Sequence, residues 1–94
     1  MPVMINKRNY KKEIRRCKTP VLLCFSGGLN VMSFLSDELE AKIKVGVVDS
    51  AQNAELVKAY EIVVFPTAVL IKNNAVTDKI VGNLNDYLIR NLLT

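Results

Sequence analysis

The sequence predicts an α/β domain with a mixed central β-sheet and helices on both faces, in the order βαβαβαββα, and three observations predict it. Val21-Leu22-Leu23-Cys24-Phe25 is apolar without alternation, the pattern of a strand covered on both sides. Amphipathic stretches with helical spacing separate the first three β-rich runs, and crossovers through helices imply parallel strands. Two further β-rich runs are separated only by Asn73-Asn74, which points to an antiparallel hairpin.

A short strand at Val3 to Ile5 opens the chain. A helix is predicted over 7–17, because Tyr10, Ile14 and Cys17 recur at four and three while Lys7, Arg8, Lys11, Lys12, Arg15 and Arg16 fill the opposite face. Asn6 is placed to cap it. Thr19-Pro20 stops it, since the residue before proline is pushed out of the helical region. After the Val21 to Phe25 strand, Ser26-Gly27-Gly28 breaks the run. Met32, Leu35, Leu39 and Ile43 then follow at three, four and four, predicting a helix that begins near Asn30. Lys44 to Val48 is a third strand, and Leu56, Val57 and Tyr60 mark a third helix. Ala68 to Lys72 and Ala75 to Val81 form the hairpin, its asparagines tolerating positive φ. Asn85 or Asn83 can cap a last helix burying Leu88, Ile89, Leu92 and Leu93.

Composition narrows the chemistry. The 94 residues are 50% apolar and 23% charged, the balance of one small folded domain spanning 1–94. The longest apolar run is five residues, far short of the roughly 18 that a membrane span needs, so no membrane association is expected. No secretory signal is read in the basic first twenty residues, and a cytoplasmic setting is the expectation. Histidine is absent and only Cys17 and Cys24 are present, so no metal site and no cofactor are expected. The two cysteines are seven apart with Pro20 between them, which is not the spacing of a redox pair, and a structural bridge is disfavoured in a reducing compartment.

The element order, together with Phe65-Pro66-Thr67 at the entrance to the hairpin, resembles the thioredoxin family over nearly the whole chain. Val21-Leu-Leu-Cys-Phe25 is similar to the family's central strand before its active-site loop. Val63-Val-Phe-Pro-Thr67 is similar to the segment carrying the family's cis-proline, and Lys72-Asn-Asn-Ala-Val76 through Val81-Gly82 to its hairpin and glycine loop. The resemblance puts the family's Trp-Cys-Gly-Pro-Cys on Leu29-Asn30-Val31-Met32-Ser33, so Asn30 and Ser33 stand at the CxxC positions and both sulfurs are missing. Exchange needs an attacking thiolate and a resolving thiol, and thioredoxin-type disulfide oxidoreductase activity is therefore not expected. The family's buried carboxylate matches Cys24 and its lysine partner matches Val45. The stretch between the loop and Asp49 is shorter than in a typical thioredoxin, implying a shortened second helix.

The resemblance implies a redox-inactive domain that binds a protein or extended peptide at a cis-proline cleft of Gly28, Leu29, Asn30, Phe65, Pro66 and Gly82, through main-chain hydrogen bonds and shallow apolar contact. A surface with no ligand is the alternative. A rival reading keeps thiol oxidoreductase activity through Cys24 or Cys17, against which each is read as an inert packing residue. Residues 1–20 carry +6 and the remainder −2. Lys11, Lys12, Arg15 and Arg16 are thus a possible anion-binding face for nucleic acid or another polyanion, or else a solvated face, since no aromatic residues are interleaved to stack bases. Ser26-Gly27-Gly28 lacks the spacing of a phosphate loop and is read as a tight turn.

Overall fold

A computed structural model describes residues 3–26, 41–82 and 86–93. Five strands form one sheet: β1 (Val3–Ile5), β2 (Val21–Ser26), β3 (Lys44–Asp49), β4 (Thr67–Lys72) and β5 (Ala75–Val81), in spatial order β1-β3-β2-β4-β5. β1 and β2 flank β3 in parallel, whereas β4 runs antiparallel to β2 and to β5. The expected mixed sheet is present. β2 lies at its centre and all six of its residues are buried, which is why its sequence shows no alternation.

Side chains on the two faces of the sheet form separate cores. Ile5, Ile14, Leu23, Phe25, Val48, Leu56 and Val69 belong to one, and Leu22, Cys24, Ile43, Val45, Ala68 and Ile89 to the other. Helix α1 (Ala54–Ala59) supplies Leu56 to the first face, and helix α2 (Asp86–Leu93) supplies Ile89 to the second. Helices therefore cover both faces, as the periodicity predicts. Gly46 makes the β1–β3–β2 approach possible, because a Cβ there would meet Ile5 Cγ1 at 2.8 Å and Leu23 Cδ1 at 3.1 Å.

The first helix departs from the expected regular α-helix over 7–17. Only Lys11–Arg15 is continuous helix, and it is wound as a π-helix in which Arg16 N–H donates to Lys11 O at 3.1 Å. Its facing is as expected, with Ile14 buried and Tyr10 and Cys17 packed on the first core. The Asn6 amide oxygen accepts from the N–H groups of Arg8 and Asn9, at 2.8 and 3.1 Å. Asn9 Oδ1 in turn accepts from Asn6 N–H at 2.8 Å, a reciprocal cap at the first turn. Two distant contacts hold the segment: the Tyr10 hydroxyl bonds that of Tyr60, and Lys44 pairs with Glu13.

Smaller corrections concern ends. β2 continues through Ser26, which was expected to break the strand, because Ser26 pairs with Asp49 and its carbonyl accepts from Ser50 N–H at 3.0 Å. β4 begins at Thr67, one residue before the expected start. At the hairpin Asn73 and Asn74 have φ of 53° and 66°, the two positive values of a type I′ turn. The end of α1 is closed by Glu61 at φ 56°, with Ile62 N–H donating to Val57 O and Glu61 N–H to Lys58 O, both at 3.0 Å, a Schellman closure without glycine. The predicted second helix, its shortening and the Asn83 or Asn85 cap fall mainly outside the described residues. Among those described, no helix is long and apolar enough to cross a membrane.

Candidate functional site

One row of in-register residues, Ile5, Val48, Phe25, Thr67 and Val81, crosses all five strands. Beyond it the three parallel strands end, β4 begins and β5 ends, so Ser26, Pro66 and Gly82 meet at one end of the sheet. In open α/β sheets this carboxyl end is where ligands bind. Phe65 and Pro66 join through a cis peptide bond. Pro66 O accepts from Gly82 N–H at 2.9 Å, and the Thr67 hydroxyl donates to Val64 O at 2.6 Å, so the start of β4 is fixed from both sides.

Of the residues expected to line a cleft, Phe65, Pro66 and Gly82 lie together at this end. Gly28, Leu29, Asn30 and Ser33 lie outside the described residues. Phe65 is 44% exposed, and Val63 and Val64 before it are 87% and 45% exposed. The side chain of Thr67 engages Val64 O, but among the described residues neither the N–H nor the C=O of Phe65 has a hydrogen-bond partner. The sequence reading named Phe65 and missed Val63 and Val64. Their signal was an apolar run, Ile62 to Phe65, that precedes a proline and so is poorly placed to continue as a paired strand. Only Ile62 of that run is buried.

The two thiols do not join this end. Cys24 is fully buried in the second core, and burial pushes its thiol from an ordinary 9.0 up to about 12. At neutral pH it holds no useful fraction of thiolate. Cys17 packs against the first core, on the other face of the sheet, and lies before β2 begins, at the opposite end from Phe65; its Sγ is 3.3 Å from Thr19 Oγ1. A sheet separates the two sulfurs, and both are free. Cys24 and Val45, which the resemblance matches to a carboxylate and a lysine, lie in the same apolar cluster with no charge between them.

Burial of Cys24 links stability to alkaline pH. The unfolded thiol ionises near its ordinary value while the folded one does not, so its contribution is whole below that value and is lost as pH rises towards about 12. The expected slope is about 1.4 kcal/mol per pH unit. Tyr60 is also pushed up, chiefly by burial and then by its bond to Tyr10, and acts in the same direction. Urea unfolding of the wild type and Cys24→Ala at several pH values isolates the thiol: the stability difference should shrink steadily from pH ~9 upward, and a constant difference contradicts the assignment.

A shallow concavity of ≈ 190 Å³ also opens at this end, lined by Lys7 and Gln52 to Leu56. It is below the ~300 Å³ typical of ligand pockets, and the 3.0 Å Lys7–Glu55 pair occupies its rim. Lys11, Lys12, Arg15 and Arg16 are exposed on the π-helical segment, on the first face of the sheet. Among the described residues no cluster of side chains is suited to hold a metal. Compared with models of known families, residues 30–94 match thioredoxin. No curated protein matches the chain.

Proposed function

Because this chain belongs to the thioredoxin family, we propose that it holds an extended protein or peptide segment at the Phe65–Pro66 end of its sheet and performs no thiol–disulfide exchange. The observation that carries this reading is Phe65, exposed beside Val63 and Val64, with its backbone N–H and C=O unpaired among the described residues. A guest strand adds main-chain hydrogen bonds at such a position, with side chains settling against the adjacent apolar surface. Neither interaction needs sulfur. In this reading Gly28, Leu29, Asn30 and Gly82 complete the cleft, Leu29 by apolar contact and Asn30 by one hydrogen bond to the guest.

The redox-inactive half of the proposal rests on the absence of a cysteine pair at two-residue spacing and on Asn30 and Ser33 matching the family's dithiol. An exchange route through Cys24 is opposed by its burial, and one through Cys17 has no second thiol on its face of the sheet among the described residues. A cytoplasmic setting accompanies this reading.

Titration of isotopically labelled protein with short Val- and Ile-rich extended peptides tests it. Amide shifts should centre on Val64, Phe65 and Gly82. Phe65→Asp should weaken binding roughly tenfold, through loss of about 1.4 kcal/mol of apolar contact, while the melting temperature stays within a few degrees because the ring is already half exposed. Shifts confined to other surfaces, or an unchanged affinity for Phe65→Asp, contradict the proposal.

A further inference from the structure

The most strongly charged surface is used by neither the cleft nor the fold. Lys11, Lys12, Arg15 and Arg16 project from the π-helical segment, with Arg8 before it and Lys18 after it, all exposed. The nearby acid is already committed: Glu13 is held below the usual carboxylate range first by its hydrogen bond from Lys44, and Glu55 pairs with Lys7. Among the described residues, none of the six cations forms a close ion pair with an acid, and Lys12 contributes only the weakest of the attractions that lower Glu13. Lys11 and Arg15, and Lys12 and Arg16, are four apart on one helical segment, and like charges at that spacing repel. An external polyanion relieves that repulsion.

What surrounds the charges decides which polyanion fits. Every exposed residue from Asn6 to Thr19 is polar, while Tyr10, Ile14 and Cys17 are turned towards the core. The core of a protein interface is usually more apolar than the rest of the surface, and this face has arginines but no exposed apolar or aromatic residue to form one. An amphipathic helix on a membrane needs a free apolar side to insert, and here that side is spent on the sheet. Single-stranded nucleic acid is held by stacking, and no aromatic ring is exposed on this segment. A duplex phosphate backbone requires only clustered cations.

We propose that Lys11, Lys12, Arg15 and Arg16 form a sequence-neutral docking face for the phosphate backbone of double-stranded nucleic acid, separate from the cleft at Phe65. Four phosphate contacts predict a slope of about −3.6 for log K against log salt, or about a 150-fold loss of affinity between ~50 and ~200 mM. Fluorescence anisotropy with a labelled mixed-sequence DNA duplex of ~20 base pairs reads this directly. Lys11→Gln, Lys12→Gln, Arg15→Gln and Arg16→Gln together should bring the slope close to zero, glutamine keeping the helix preference. The same loss of charge elsewhere, by Lys42→Gln, Lys58→Gln, Lys72→Gln and Lys79→Gln, should leave the slope in place.

Comparisons on the wild type need no variant to fold: phosphatidylserine vesicles and poly-glutamate at equal salt should bind at least tenfold more weakly than the duplex. The proposal is overturned by absence of duplex binding at ~50 mM salt, by equal losses in the two charge variants, or by vesicles or poly-glutamate binding as tightly as the duplex.

Discussion

Cys24→Asp is expected to destabilise the domain by about 3–5 kcal/mol at neutral pH, the range found when a buried charge is left without a partner. Position 24 is fully buried among Leu22, Ile43, Val45, Ala68 and Ile89, so the carboxylate meets neither water nor a cation there. Desolvation should raise its folded pKa roughly 3–5 units above the ordinary ~3.9. The sign follows: the folded state holds the proton over a range where the unfolded chain has released it, so stability is greatest below pH ~4 and falls as pH rises towards the raised value. Urea midpoints from pH ~3 to ~8 should therefore drop steeply for the variant relative to the wild type. A flat difference across that range would mean that water or a cation reaches position 24. The experiment also bears on function, since it places an acid at the position that the family resemblance assigns to one and asks whether the surroundings still support it.

Phe25→Ala should remove a comparable amount, about 3–5 kcal/mol, by a different route. Phe25 is fully buried at the end of the central strand, opposite Val48 on one side and Thr67 on the other. Its ring lies 5.5 Å from that of Tyr60, at 52°, and Tyr60 in turn meets Tyr10 edge to face at 6.2 Å. Truncation leaves a cavity beneath both tyrosines, where the first helix and α1 rest on the sheet. Small domains are stable by only about 5–15 kcal/mol, so the loss is a large fraction of the whole. The urea midpoint should fall with little change in slope. A loss below ~1 kcal/mol would mean that the first core closes around the gap or is looser than its burial implies.

Much of the fold is legible where one local rule decides. The unalternating run from Val21 to Phe25 can satisfy its side chains only at the centre of a sheet, and β2 is there. Asn73-Asn74 between two β-branched runs admits a two-residue turn with both residues at positive φ. The π winding of Lys11–Arg15 is not legible in this way, because apolar spacings of three and four suit a regular helix equally well. The segment's contacts lie far off in sequence, in Lys44 and Tyr60, where no local pattern reveals them. Ser26 misled because a polar residue beside two glycines reads as a break, whereas its backbone pairs with Asp49 and its side chain is buried.

At the site, Pro66 and Gly82 could be named from the resemblance, and Phe65 with them. That Val63 and Val64 would be exposed could not be named, since an apolar run reads as core until the chain path is known. The basic residues Lys11, Lys12, Arg15 and Arg16 were legible as a charge pattern. That none of them forms a close ion pair among the described residues depends on Lys44 taking Glu13 and Lys7 taking Glu55, contacts that join elements 31 and 48 residues apart in the chain.

We propose that this thioredoxin-family chain offers a surface for a guest and no path for electrons. Dithiothreitol-driven reduction of insulin, followed as precipitation of the free chains, tests it most directly. Micromolar protein should leave the rate at that of dithiothreitol alone, and Cys17→Ala and Cys24→Ala should each behave identically to the wild type. Acceleration by the wild type that disappears in either cysteine variant would contradict it.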